Sequence, residues 1–90
     1  MPNIELHGYG PEVARELRGR IRAILKDSPD ADGIVITTFR SEVENLDGAN
    51  VPFLRVITAP TELKDLNERL MPLNEDIEVV MLGAWIPKAK

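Results

Sequence analysis

Apolar and polar residues alternate from the first residues of the chain. Pro2, Ile4 and Leu6 fall on one side and Asn3, Glu5 and His7 on the other, a period of two that predicts a short strand over 1–7. Gly8-Tyr9-Gly10-Pro11 breaks the pattern, and Pro11 suits the first turn of a helix, where its missing N–H has no partner to lose. Val13, Leu17, Ile21, Ile24 and Leu25 then form a helical stripe, predicting a helix over 12–26. Asp27 to Gly33 is rich in turn formers. Ile34 to Phe39 is β-branched and aromatic and predicts a second strand. The polar, acidic stretch 41–50 reads as a surface loop. Pro52 to Thr58 predicts a third strand. Leu63, Leu66, Leu70 and Met71 predict a second helix over 61–71, ended by Pro72, and Asp76 to Ala84 predicts a fourth strand.

The order is β-α-β-β-α-β, and it contains a repeat. Met1-Pro2-Asn3-Ile4-Glu5-Leu6 matches Val51-Pro52-Phe53-Leu54-Arg55-Val56 as apolar, Pro, any, apolar, charged, apolar, and Glu12-Val13 matches Glu62-Leu63. The chain therefore reads as one α+β domain over 1–90, made of two β-α-β halves at about 1–40 and 51–85 joined by the acidic loop 41–50. Each crossover helix implies a parallel strand pair, giving a four-stranded sheet with both helices on one face. A ferredoxin-like sandwich has the same element order and stays open as the alternative.

Two helices cover one face of such a sheet, yet strands two and four are apolar on both. Ile34, Ile36 and Thr38 oppose Val35, Thr37 and Phe39. A solvated face would carry polar residues at alternate positions. A homo-oligomer burying the second face is the expectation.

Composition narrows the chemistry. The chain has 90 residues, no Cys, one His and a net charge of −4. Disulfides, Cys-ligated zinc, thiol catalysis and a two-His metal site are excluded, so no metal site is expected. The acidic balance argues against nucleic acid or an anionic membrane as partner, and Val79 to Ile86 is too short to span a bilayer. A cytoplasmic location is the default. His7 lies five strand positions from Pro2, about 17 Å, too far to act with it inside one chain. Tyr9 reads as a packing residue and Trp85 as core or subunit contact. Arg15, Arg18 and Arg22 read as a solvated helix face, and Glu42, Glu44 and Asp47 as a solvated loop without calcium-loop spacing.

The Met1-Pro2 start, the β-α-β repeat with its second unit entering at Pro52-Phe53, and Gly83-Ala84-Trp85 near the end resemble the tautomerase superfamily, which includes the 4-oxalocrotonate tautomerase and macrophage migration inhibitory factor families. The resemblance implies trimers, or hexamers of single units, and catalysis without cofactors. It also implies removal of Met1, which would leave Pro2 as an N-terminal secondary amine. A free α-amino group has a pKa near about 8, and burial lowers it, so it can move a proton next to a carbonyl at neutral pH. The implied activity is tautomerisation or isomerisation of small 2-keto or enol acids. The family's carboxylate-holding arginines would fall near Gly10-Pro11 and Val35, where this chain has none. Arg40 and Arg55 are the substitutes chosen, with Arg15 in the first turns of the first helix a further one, since a guanidinium fork suits a carboxylate. Each has a plainer reading: Arg40 as a solvated strand end, and Arg55 as the cross-strand partner of Glu5. A non-catalytic oligomer of the same fold is the second functional reading.

Overall fold

The computed structural model describes residues 2–29 and 31–83. The elements are β1 (Asn3–His7), α1 (Pro11–Leu25), β2 (Val35–Phe39), β3 (Phe53–Ile57), α2 (Pro60–Leu70) and β4 (Val79–Leu82), with short 3-10 turns at Ala31–Gly33 and Met71–Glu75. The fold is α+β, a four-stranded mixed sheet with two helices. The initiator Met1 and the predicted roles of Ala84 and Trp85 lie outside the described residues.

The sheet order is β2-β1-β3-β4. β1 pairs with β2 in parallel, Asn3 opposite Val35 and His7 opposite Phe39. β3 pairs with β4 in parallel, Leu54 opposite Val79. The two halves join through antiparallel β1 and β3, Asn3 opposite Ile57 and His7 opposite Phe53. This pairing removes the ferredoxin-like alternative. There the strands of each β-α-β unit are split by another strand, whereas here they are direct neighbours.

Both helices begin alike. Gly10 and Ala59 are the extended N-cap residues, and Pro11 and Pro60 occupy the first turn, where no intrahelical donor is lost. Ala14, Leu17, Ile21 and Leu25 of α1 and Leu66 and Leu70 of α2 pack on Ile4, Leu6, Leu54 and Val56 of the central strands. All of these strand residues are even-numbered and share one sheet face, so both helices cover that face. Each such side chain contributes about 1.5–3 kcal/mol of burial.

Two stripe positions differ from expectation. Val13 is 49% exposed, and Ala14 takes its place in the core. At 100° per residue, Val13 points well away from the centre of the arc formed by Ala14, Leu17, Ile21 and Leu25. Met71 is 57% exposed, and Leu73 is fully buried instead. The chain does not simply stop at Pro72. It tightens into a 3-10 turn over Met71–Glu75 that accepts Pro72 early and swings Leu73 inward. That turn delays β4, which begins at Val79, after Asp76 and Ile77 donate back to the Leu73 carbonyl.

Gly8 ends β1 with φ +84°, a conformation that side chains rarely adopt. A Cβ there would meet Val43 Cγ2 at 3.1 Å and the Pro52 Cα at 3.3 Å. This close approach brings the 41–52 connection under the end of β1. Within that connection Glu44 and Asn50 form a bridge closed around Gly48, so the stretch is a small turn folded on itself.

Candidate functional site

The sheet face away from the helices is built from the odd-numbered residues of β1, β2 and β3. The alternation that buries Ile4 and Leu6 sends Glu5 and His7 to this side. Register then sets three strands abreast. Thr37, Glu5 and Arg55 form one row, and Phe39, His7 and Phe53 the next.

Side chains of these rows interact across the strands and between the rows. Arg55 donates from Nε to Glu5 Oε1 at 2.8 Å, and its Nη2 lies 2.6 Å from the same oxygen in an ion pair. His7 Nε2 lies 2.9 Å from the same oxygen. A carboxylate only accepts, so the Nε2 position carries the hydrogen. Burial raises the Glu5 pKa, but the hydrogen bonds from His7 and Arg55 and their charges outweigh it, so the carboxyl titrates below the ordinary glutamate range. The His7 ring is stacked between two phenylalanines, 4.5 Å from Phe39 and 4.7 Å from Phe53, with interplanar angles of 4° and 6°. Val35, Phe39 and Leu82 remain substantially exposed on this face.

Pro2 is fully buried immediately ahead of β1, and its carbonyl accepts from the Val35 N–H at 3.0 Å. Arg40 follows the last residue of β2. Because β1 and β2 run in parallel, Pro2 and Arg40 sit at opposite ends of the strand pair, about 20 Å apart at 3.3 Å per residue. Arg55 is opposite Glu5, about 10 Å along β1 from Pro2, and it is engaged by that carboxylate. A single chain therefore does not bring Pro2, Arg40 and Arg55 together. The plainer reading of Arg55, a cross-strand ion pair with Glu5, is the arrangement present.

Two other sequence readings change, and a third gains a detail. Arg18 is not part of a purely solvated face, since its Nη1 donates to Thr38 Oγ1 at 2.9 Å. His7, read only as too far from Pro2 to act with it, is delivered by the register between two rings. The signal was visible in part: an aromatic closes β2 and another opens β3, but pairing with β1 had to be known first. Tyr9 packs against the core as expected, yet its hydroxyl is buried without a partner among the described residues. Burial, with smaller contributions from Glu78 and Asp76, pushes its pKa up. Among the described residues no group of three or more His, Asp or Glu side chains is placed to hold a metal ion. None of the helices described is long and apolar enough to cross a membrane.

No protein-family model and no curated protein matches the chain. Several solved structures are similar to it, two of them as follows. One is a domain of unknown function (DUF1904) from Sebaldella termitidis, with 17% identity and a TM-score of 0.55, covering 99% of this chain and 90% of that one. The other is a protein of unknown function from Vibrio cholerae, with 10% identity and a TM-score of 0.52, covering 97% of this chain and 77% of that one. At these identities the likeness establishes the fold and carries no activity with it.

Proposed function

We propose that the chain works as a homo-oligomer, a trimer on the tautomerase reading, whose subunits pack through the sheet face that the helices leave uncovered. The observation that carries this is the row Phe39, His7, Phe53 on that face, flanked by Val35 and Leu82. A monomer would keep exposed apolar side chains on a face where polar residues cost nothing. Sedimentation across the micromolar range tests it, and a monomer throughout would end it.

Within that assembly, the proposed activity is cofactor-free tautomerisation of a small 2-keto or enol acid, with Pro2 as general base after loss of Met1. Burial of the Pro2 ring supports it, because desolvation favours the neutral amine once loss of Met1 frees the nitrogen to meet substrate. The amine would accept the enol O–H proton, and its protonated form would deliver a proton to the adjacent carbon. Any carboxylate-holding Arg40 would have to come from a neighbouring subunit, given its distance from Pro2 in one chain. A cytoplasmic location belongs to this reading.

The second reading, a non-catalytic oligomer, is favoured by the engagement of Arg55 with Glu5. Intact mass of protein isolated from its native host separates the two, since retained Met1 makes the Pro2 nitrogen an amide without basicity. If Met1 is absent, conversion of an aryl enolpyruvate by wild type and Pro2→Ala decides. Equal rates eliminate Pro2 as the base.

A further inference from the structure

α1 lies alongside the edge strand β2, and their spacings match. Four helix residues rise about 6 Å, and two strand residues about 6.6 Å. The crossover runs the helix opposite to the strand. Arg18, Arg22 and Lys26, four apart along α1 and its C-cap, therefore follow Thr38, Ile36 and Ile34 of the strand side. Arg18 is engaged by Thr38. Arg22 and Lys26 instead rim a groove of about 280 Å³, between the end of α1 and the start of β2. Ile21, Leu25, Ile34 and Ile36 line it.

Neither rim cation has an ion pair or side-chain hydrogen bond among the described residues. Two like charges one turn apart repel each other. Basic residues at a helix end suit the macrodipole. That accounts for charge at this end of α1, but not for an open apolar floor beneath it. Asp27 and Asp32 occupy the flanking turn, exposed and unpaired with either cation.

We propose that this groove binds a small amphiphilic carboxylate, its head held between Arg22 and Lys26 and its apolar body against Ile34, Ile36 and Leu25. Two cations at the rim of an apolar floor complement an anion joined to a hydrocarbon or aryl group, and neither a free inorganic anion nor a neutral apolar molecule uses both features. The site does not depend on Pro2 acting as a base, so either idea can fail without the other.

The test is titration of the full chain with 3-phenylpropanoate, followed by calorimetry and by amide chemical shifts. Its neutral amide, 3-phenylpropanamide, and acetate serve as controls. Saturable binding is expected, with shifts centred on residues 21–26 and 34–36. Weakening by about tenfold or more is expected for the amide, for acetate and for the Arg22→Gln/Lys26→Gln double variant. Both substituted positions are exposed, and an unchanged amide spectrum outside the groove verifies that the double variant is folded. Equal binding of carboxylate and amide, equal binding by the double variant, shifts centred on the opposite sheet face, or no saturable binding at millimolar ligand each overturns the proposal.

Discussion

Glu5 and Arg55 face each other across the central antiparallel pair, and they are also equivalent positions of the two β-α-β halves. The repeat equates Asn3 with Phe53 and His7 with Ile57, whereas the register pairs Asn3 with Ile57 and His7 with Phe53. Both relations coincide only at Glu5 and Arg55, so the approximate two-fold axis relating the halves passes between these side chains. Identical charged residues at such an axis would repel. Joining two halves in one chain allows opposite charges there instead.

Glu5→Gln is expected to lower stability by about 1–2 kcal/mol, the range for a charged hydrogen bond to a partly exposed partner. The native carboxyl titrates below its unfolded value, so its contribution is present above the ordinary glutamate range and disappears as pH falls through the folded pKa. Urea midpoints measured from neutral to acidic pH should fall more steeply for wild type than for Glu5→Gln.

Gly8→Ala should be costly and Gly10→Ala mild. The first adds a Cβ at φ +84° and 3.1 Å from Val43, while the second meets nothing within 4 Å. A loss of about 1–3 kcal/mol is expected at Gly8. Chemical denaturation of the two variants checks the contrast.

Leu17→Ala and Val13→Ala test which side of α1 faces the sheet. Leu17 is buried, and its truncation should cost about 2–5 kcal/mol. The half-exposed Val13 should change stability by no more than about 0.5 kcal/mol. Equal losses would contradict the observed burial.

Tyr9→Phe removes a buried hydroxyl that has no partner among the described residues. The variant should match wild type or exceed it by about 1 kcal/mol. Because the Tyr9 pKa is pushed up, its neutral form is favoured in the folded state, and wild-type stability should decline as pH rises through the ordinary tyrosine value of about 10. Thermal melts near and above that pH should show a smaller decline for Tyr9→Phe.

Val35→Glu places a charge on the uncovered sheet face without touching the helix-side core. If subunits pack there, sedimentation should show a shift toward monomer, with the far-ultraviolet circular dichroism unchanged. An assembly that survives the substitution would place the interface elsewhere.

Much of this architecture is legible in local pattern. The period of two in β1 and the stripes of α1 and α2 identify the elements because a side chain's direction follows from backbone geometry. The Glu5–Arg55 pair is legible as well, since a repeat equates the two positions. Val13 and Leu73 were harder. The stripe admits Val13 by spacing, but the centre of the buried arc depends on where the sheet lies. Leu73 enters the core only because a 3-10 turn continues past Pro72.

The candidate site divides along the same line. Residue types and their order along the chain determined two β-α-β halves, a second sheet face with apolar positions that two helices do not cover, and the absence of cysteine chemistry. Only the tertiary structure decided that β1 lies between β2 and β3. It thereby placed His7 between two rings, set Pro2 and Arg40 at opposite ends of a strand pair and left Arg22 and Lys26 over an apolar groove. The physical reason is that backbone hydrogen bonding is available to any strand, so the choice of neighbour rests on how the whole apolar surface is buried at once. That is a property of the assembled layers and of no single segment.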